Sequence, residues 1–332
     1  MSDSEKPSAK NWHDLVVDPK GRICLRGGAK TWVDVIEVAN GRRLACHKTI
    51  LNCGGQRLAI SDDTRHFIAG SWGHPDGGGV ACYETNTGHL VWHSRNLKSP
   101  QLLSYEPTSD SWLISLDKGG TFFINRMTGK IKFQLRGSFR NLLGFTKDEC
   151  LIDARSTIER VDPRSGVVVG KLKVPRMFEW VAGKTKWGTE DRVMAASRTN
   201  DLYSNTERKR LSILDGDAAN DCLVVAHVGG ALQCFSLLSG KMVWETLPPL
   251  YSNFLTVGIA TSTKHVWAVC RNLQHGSPVE LWCLALRDGS IHSKNTWPDS
   301  MGRSGVFCNG GSYFVDGMGV IDLPDRRMRF FD

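Results

Sequence analysis

Short apolar runs alternate with turn signals through most of the chain. The clearest example is residues 102–135, where four runs are separated by three hairpin-type turns. These runs are too short for helices and rich in β-branched and aromatic residues, so they predict strands. In the last of the three turns, Gly129 supplies the residue that adopts a positive φ at little cost. The pattern predicts a unit of four antiparallel strands that follow one another in the sheet.

The same unit recurs along the chain, and the copies align on that last turn. In three copies an aromatic residue follows the turn glycine by four positions: Gly88 with Trp92, Gly129 with Phe133, and Gly240 with Trp244. Further turns of this kind lie at Gly41, Gly166 and Gly289, and an equivalent turn without glycine lies at Asp325. The spacing, mostly about 37–49 residues, is that of a propeller blade. We therefore predict an all-β chain forming a single β-propeller of four-stranded antiparallel blades.

One interval breaks this spacing. From Gly166 to Gly240 the distance is almost twice the usual one, and residues 176–210 are irregular, with eight basic against five acidic residues. Seven blades with an insertion is the favoured interpretation, and eight blades is the alternative. The domain prediction is a disordered N-terminal tail over residues 1–12 and a propeller over 13–332 that contains the irregular segment 176–210. Such an insertion can carry function.

The turn followed four residues later by tryptophan resembles the tryptophan-docking repeat of quinoprotein-like propellers. The segment 228–235 is similar to part of a WD-repeat blade. The resemblance implies that Trp92 and Trp244 pack between blades. It implies no cofactor, because quinone-binding members often carry two adjacent cysteines and this chain has no such pair. A shared fold does not transfer function.

The composition says more about the cellular compartment of the protein than about any catalytic or binding chemistry. The 332 residues include ten cysteines without a CxxC pair, the N-terminus lacks a secretory apolar core, and no apolar run reaches membrane-spanning length. We expect free thiols and a cytoplasmic protein that does not enter a membrane. The net charge of +8 is compatible with an acidic partner but does not require one.

The candidate binding residues lie where a propeller exposes the loops that join strand d to strand a and strand b to strand c. This loop face combines arginine, histidine and aromatic residues, as protein-binding surfaces do. The candidates are His47, His74, Asp76, Arg95, Arg140, Tyr251, Arg271, His275 and Trp297. We predict a non-catalytic propeller, an adaptor or an immunity- or inhibitor-type protein, that binds a protein partner with an acidic patch.

Two other functional classes stay open. A hydrolase or lyase with its site at the channel mouth would need clustered carboxylates, or a histidine–carboxylate pair near His47 or His74. A nucleic-acid binder would need the scattered basic clusters to converge on one face. No spacing of histidine and cysteine predicts a tetrahedral metal site, so no catalytic residue and no metal ligand is assigned.

Overall fold

The structure is a computed structural model. It describes residues 12–18, 20–28, 31–51, 56–71, 78–116, 119–135, 142–154, 157–173, 180–181, 184–185, 213–219, 221–227, 231–249, 252–260, 263–272, 279–297, 305–308, 313–316, 319–323 and 327–330. These residues contain seven four-stranded antiparallel sheets and one two-stranded pair. They form two units, unit 1 with residues 1–140, 162–167 and 303–332, and unit 2 with residues 141–161 and 168–302. No helix in the described part of the chain is long and apolar enough to cross a membrane.

Four sheets have their strands in unit 1. The first contains β1 (Trp12–Val17), β2 (Ile23–Gly28), β3 (Trp32–Glu37) and β4 (Arg43–Lys48). The second contains β5 (Gln56–Ile60), β6 (His66–Ser71), β7 (Val80–Glu84) and β8 (Leu90–Ser94). The third contains β9 (Pro100–Glu106), β10 (Ser111–Leu116), β11 (Gly120–Asn125) and β12 (Ile131–Leu135). The last sheet of the chain contains β27 (Gly305–Cys308), β28 (Tyr313–Asp316), β29 (Gly319–Asp322) and β30 (Arg327–Phe330).

The strands of the other sheets lie in unit 2. The fourth sheet contains β13 (Leu142–Phe145), β14 (Cys150–Asp153), β15 (Thr157–Val161) and β16 (Val168–Lys173). A short pair follows, β17 (Trp180–Val181) with β18 (Lys184–Thr185). The fifth sheet contains β19 (Ile213–Ala219), β20 (Cys222–His227), β21 (Leu232–Ser236) and β22 (Met242–Thr246). The sixth contains β23 (Ser252–Ala260), β24 (His265–Asn272), β25 (Val279–Ala285) and β26 (Ile291–Trp297).

Each described sheet keeps its strands in sequence order, as the alternation of runs and turns predicts. The count of seven four-stranded sheets matches the favoured alternative of seven blades. In the irregular segment 176–210 the described residues form only the short β17–β18 pair, and the remainder lies outside the described residues. The first strand begins at Trp12, inside the stretch assigned to the tail.

The apolar cores lie between neighbouring sheets. In unit 1 one cluster joins the first and second sheets through residues such as Leu25 and Phe67, and another joins the second and third through Ile68 and Trp112. In unit 2 comparable clusters join the fourth sheet to the fifth and the fifth to the sixth. A single sheet of this kind cannot bury both of its faces, so stacking supplies the hydrophobic stabilisation.

Candidate protein-binding site

The turn between the third and fourth strand of a sheet has the same geometry in six sheets. The turn glycines have φ between 67° and 74°, a left-handed conformation that favours glycine: Gly41, Gly88, Gly129, Gly166, Gly240 and Gly289. Each glycine N–H donates to the carbonyl four residues earlier, and each following strand carries a bulge. The sequence alignment on these glycines is confirmed.

Two tryptophans dock on the turn of the next sheet. Trp92 Nε1 donates to the Arg126 carbonyl at 2.7 Å, and Trp244 Nε1 donates to the Leu286 carbonyl at 2.8 Å. In each case the acceptor lies three residues before the turn glycine. The indole covers that glycine so closely that an added Cβ would lie 2.8 Å from Trp92 at Gly129. Trp244 is 7% exposed, as expected, whereas Trp92 is only half-buried.

Phe133 makes the same contact without a hydrogen bond donor on its ring. Its ring covers Gly166, where any added Cβ would overlap it, and stacks on Phe123 with centroids 4.4 Å apart. The place predicted for Phe133 is therefore confirmed. The aromatic contact with the turn glycine therefore forms at this junction without a hydrogen bond from the ring.

His47 belongs to this series of docking residues, and the prediction that placed it in a loop was wrong. It lies in β4, six residues after Gly41, and its ring covers Gly88 with Nδ1 2.5 Å from the position of an added Cβ. Its Nε2 is 2.7 Å from the Thr85 carbonyl, the equivalent acceptor, so Nε2 carries the proton. Ala45 stands where the second, third and fifth sheets have an aromatic residue, and its small side chain leaves room for the histidine ring.

Arg160 is a docking residue that no pattern in the sequence indicated. In the fourth sheet the position four residues after Gly166 is Gly170, and Arg160 is its cross-strand neighbour. The Arg160 side chain occupies the space above Gly170, and Nη1 donates to the Leu237 carbonyl at 3.0 Å. Glu149 accepts two further bonds from this guanidinium, at 2.6 and 2.9 Å. A bidentate ion pair therefore replaces the indole at this junction.

A polar cluster accompanies the Trp92 contact. Arg126 forms ion pairs with Asp63 at 2.7 Å and with Asp110 at 2.9 Å. Tyr105 donates to Asp110 at 2.6 Å, and the Arg126 guanidinium lies 6.0 Å from the centre of the tyrosine ring. The cluster joins turns of the second and third sheets, so its charged groups contribute to the contact between these two sheets.

This cluster shifts the protonation of two groups. Burial acts to raise the pKa of the Asp63 carboxyl. Hydrogen bonds from Ser61, Arg126 and the Arg65 amide outweigh that effect and hold this pKa well below its usual range. Burial, followed by the charge of Arg126, lowers the pKa of buried His66. Both shifts favour the forms present at neutral pH.

The connector between β8 and β9 is the best described part of the predicted loop face. Arg95 and Lys98 are exposed there, on either side of Leu97, which is 4% exposed and packs in the core between the second and third sheets. Gly79 lies directly against this connector, and an added Cβ would overlap the Ser94 carbonyl. The connector is therefore anchored on two sides, and it presents two cations to solvent.

The charges of unit 1 differ between connectors and turns. In the described connectors and second-to-third-strand loops of unit 1, the exposed ionisable residues are Arg95 and Lys98, and neither forms an ion pair with a described residue. The described turns at the other strand ends are mixed in charge and contain ion pairs such as Arg126–Asp63. Lys48, at the end of β4, adds another cation, 5.9 Å from the Trp32 ring.

The other predicted site residues are placed as follows. Arg271 and Trp297 lie in one cross-strand row of the sixth sheet, on either side of Val279, at strand positions rather than in loops. The remaining five predicted residues, His74, Asp76, Arg140, Tyr251 and His275, lie outside the described residues. Gly78, two residues after Asp76, accepts a hydrogen bond at 2.9 Å from the His93 ring, close to the β8–β9 connector.

The described residues include the kinds of side chain that can bind a metal ion or react as thiols. The described residues contain no group of three or more histidine, cysteine, aspartate or glutamate side chains arranged to hold a metal ion. Eight cysteines in the described part are free thiols. Burial raises the pKa of Cys82 and Cys270 to about 12, which keeps both thiols protonated and unreactive at neutral pH.

Comparison with known proteins identifies the fold. No protein-family model matches the chain, and no curated protein matches it in sequence. The structure of U3-55K is similar at a TM-score of 0.61 with 13% identity, over 93% of this chain and 88% of that one. The RRP9 WD40 repeats give a TM-score of 0.62 with 13% identity, over 93% and 87%.

Two further structures agree with this result. The C-terminal WD40 domain of Sif2 gives a TM-score of 0.56 with 10% identity, over 92% of this chain and 93% of that one. The dihydro-heme d1 dehydrogenase NirN gives 0.59 with 14% identity, over 96% of this chain and 65% of that one. At these identities the likeness concerns the fold alone. The predicted fold class is confirmed: the chain is an all-β, WD-repeat-like β-propeller.

Proposed function

We propose that this chain is a non-catalytic propeller that binds a protein partner with an acidic surface, and that the β8–β9 connector is part of the contact. The observation that carries the proposal is the pair of exposed cations, Arg95 and Lys98, on a connector anchored by Leu97 and Gly79. Loops held on a rigid scaffold are common binding elements, and arginine is enriched at interfaces. Unpaired cations on such a loop attract an acidic partner and orient its approach.

The WD40 propellers among the structural neighbours support a scaffold role by analogy of fold, although the neighbours also include a dehydrogenase. The concrete role that we propose is that of an adaptor or an immunity- or inhibitor-type protein, as predicted from the sequence. We propose the cytoplasm as its compartment, and the free thiols of the described cysteines support this.

Affinity purification from the native host tests the proposal. The wild-type chain and the double variant Arg95→Glu/Lys98→Glu serve as baits, and bound proteins are quantified by mass spectrometry. A second double variant, Lys130→Glu/Arg287→Glu, changes the net charge equally at exposed residues of two hairpin turns and is the matched control.

We expect one stoichiometric acidic protein with the wild type and the control, and a loss of about tenfold or more with the connector variant. Equal recovery by all three baits would contradict the role of the connector. Recovery of no protein by any bait would contradict the proposed function as a whole.

A further inference from the structure

The junction between the fourth and fifth sheets lacks the aromatic ring that fills the equivalent place elsewhere. At Gly129 and Gly289 the ring atoms of the docking tryptophans lie 2.8 and 2.6 Å from the position of an added Cβ. At Gly240 the only described heavy atom within 4 Å of that position is Leu172 Cδ2, at 3.5 Å. The turn glycine of the fifth sheet is therefore the least covered of those compared.

The residue that leaves this place open is Gly170. It has the register position of Trp92, Phe133 and Trp244, opposite the strand residue six positions before the turn glycine. Arg160 covers part of the gap, with Cδ 3.3 Å from the position of an added Cβ on Gly170. Its side chain remains 30% exposed, so the guanidinium forms one wall of the open place.

Exposed apolar side chains lie next in sequence to the residues that line the gap. Leu238, next to the Leu237 carbonyl that Arg160 binds, is 88% exposed, the largest value among the exposed apolar residues of the described chain. Val168 and Val169, at the start of β16, are 38% and 54% exposed. Apolar groups exposed in this way are available for contact with a partner.

The strand that contains Gly170, β16, has an open backbone edge and positively charged side chains. Both features favour binding of an extended acidic segment. β16 is the outer strand of its sheet among the described residues, and its backbone edge can accept a further strand. Its only charged residues are Lys171 and Lys173, both exposed, and Lys171 pairs with Glu159 at 2.7 Å. The edge is cationic, and it favours acidic side chains next to the inserted group.

We propose that this gap, which we call the open dock and define by Arg160, Gly170, Leu172, Leu238 and Gly240, binds an aromatic side chain on an extended acidic segment of a protein partner. The partner's ring would cover Gly240 as Trp244 covers Gly289, and it would lie against the Arg160 guanidinium in a cation–π contact. The contact between Trp244 and Gly289 in this molecule thus indicates that an aromatic ring fits over Gly240. This site is independent of the β8–β9 connector and goes beyond the function proposed above.

The alternative occupant is an indole of this chain, since Trp180 and Trp187 follow β16 in the sequence. The partner is favoured because a cationic edge strand beside the gap matches an acidic segment. The sequence from 174 to 212 instead has more basic than acidic residues. The experiment separates the two occupants.

The test uses a fluorescein-labelled synthetic peptide with one central tryptophan between alternating glutamate and valine, and fluorescence anisotropy with the full chain. A second peptide has alanine in place of the tryptophan. Gly170→Trp fills the open dock from within the chain, and Leu238→Glu places a carboxylate beside it. Met127→Glu is the matched control, because Met127 has the same turn position in the third sheet, where Trp92 already covers the glycine.

We expect saturable binding of the tryptophan peptide to the wild type and to Met127→Glu. Binding should weaken by about tenfold or more in Gly170→Trp and in Leu238→Glu, and for the alanine peptide. If Gly170→Trp fails to fold because Arg160 cannot move aside, the binding measured with Leu238→Glu decides whether the dock binds the peptide. The double variant Arg95→Glu/Lys98→Glu should bind the peptide normally, which separates this site from the connector.

Three results would overturn the proposal. One is the absence of saturable binding to the wild type, and another is equal binding to the wild type and to folded dock variants. The third is binding that arises only in Trp180→Ala/Trp187→Ala, which would show that an indole of the chain itself occupies the dock.

Discussion

The fifth sheet is joined to its two neighbours by different chemistry. On one side Trp244 covers Gly289 and donates to the Leu286 carbonyl. On the other side the Arg160 guanidinium donates to the Leu237 carbonyl while it pairs with Glu149. The acceptor has the same place in the turn on both sides, three residues before the glycine.

This difference shows that the repeated element is the turn, with its left-handed glycine and its outward carbonyl. The residue that docks on the turn can be an indole, an imidazole, a phenyl ring or a guanidinium. The indole removes a large apolar area from water and is insensitive to salt. The ion pair is partly exposed and is weakened by salt, so the two junctions should respond differently to substitution and to solvent.

Removal of the indole should have the largest effect. Trp244 is 7% exposed and lies in the core cluster between the fifth and sixth sheets. Trp244→Ala should lower the free energy of unfolding by about 3–5 kcal/mol, because it leaves a cavity and an unpaired carbonyl. Denaturant unfolding followed by circular dichroism measures this loss. A loss below about 1 kcal/mol would show that the indole is not a main contact of the junction.

Removal of the guanidinium should have a smaller and salt-dependent effect. Arg160→Met keeps the apolar stem of the side chain and leaves Glu149 and the Leu237 carbonyl without their donor. We expect a loss of about 1.5–3 kcal/mol at low ionic strength, since hydrogen bonds to charged groups are worth about that much.

The salt response distinguishes the two junctions most clearly. In about 1 M NaCl, where the screening length is about 3 Å, the cost of Arg160→Met should shrink while that of Trp244→Ala should not. An Arg160→Met cost that is the same at both salt concentrations would show that the stem of Arg160, not its charge, holds the junction.

The regular part of this design could be predicted from the sequence, because the turn glycine and the aromatic residue four positions later are close in the chain. The Trp244 junction is of this kind. Arg160 could not be found in the same way, since its role depends on a cross-strand neighbour ten residues away and on the absence of a side chain at Gly170. Gly170, in place of an aromatic residue, was the one sign of this in the sequence. Its pairing with Arg160 becomes clear only from the register of β15 and β16.

His47 shows the same limit in the candidate site. Its offset of six residues from Gly41 differs from that of the tryptophans, so the sequence suggested a loop residue, whereas the strand and the neighbouring turn show a docking contact. Arg95 was found because a charged residue directly after a strand end is visible locally. Its anchoring by Gly79 depends on packing between distant parts of the chain.

The smallest effect should come from the charged cluster that accompanies an indole, at Trp92. Asp63 is 37% exposed, and its pKa is held below the unfolded value. Such a carboxylate stabilises the fold above its unfolded pKa of about 4, and this stability is lost as the pH falls through the lower folded pKa. Asp63→Asn should cost about 1 kcal/mol or less at pH 7, since exposure screens the pair.

The pH dependence of the stability lost in Asp63→Asn tests the ionic role of Asp63. Unfolding of the wild type and of Asp63→Asn, measured from pH 7 down to about pH 2, should give stabilities that converge as the pH falls below about 4. A difference between the two proteins that stays constant over this range would contradict the ionic role of Asp63. Asp62→Asn, a change at the adjacent carboxylate in the same turn, is the matched control.

The proposed contact is tested most directly by hydrogen–deuterium exchange of the full chain, alone and with the acidic protein that it recovers from the host. We expect binding to protect residues 94–99 around Arg95 and Lys98 and to leave exchange in the hairpin turn at residues 126–130 unchanged. Protection confined to the hairpin turns, with exchange in residues 94–99 unaltered, would contradict the proposed contact.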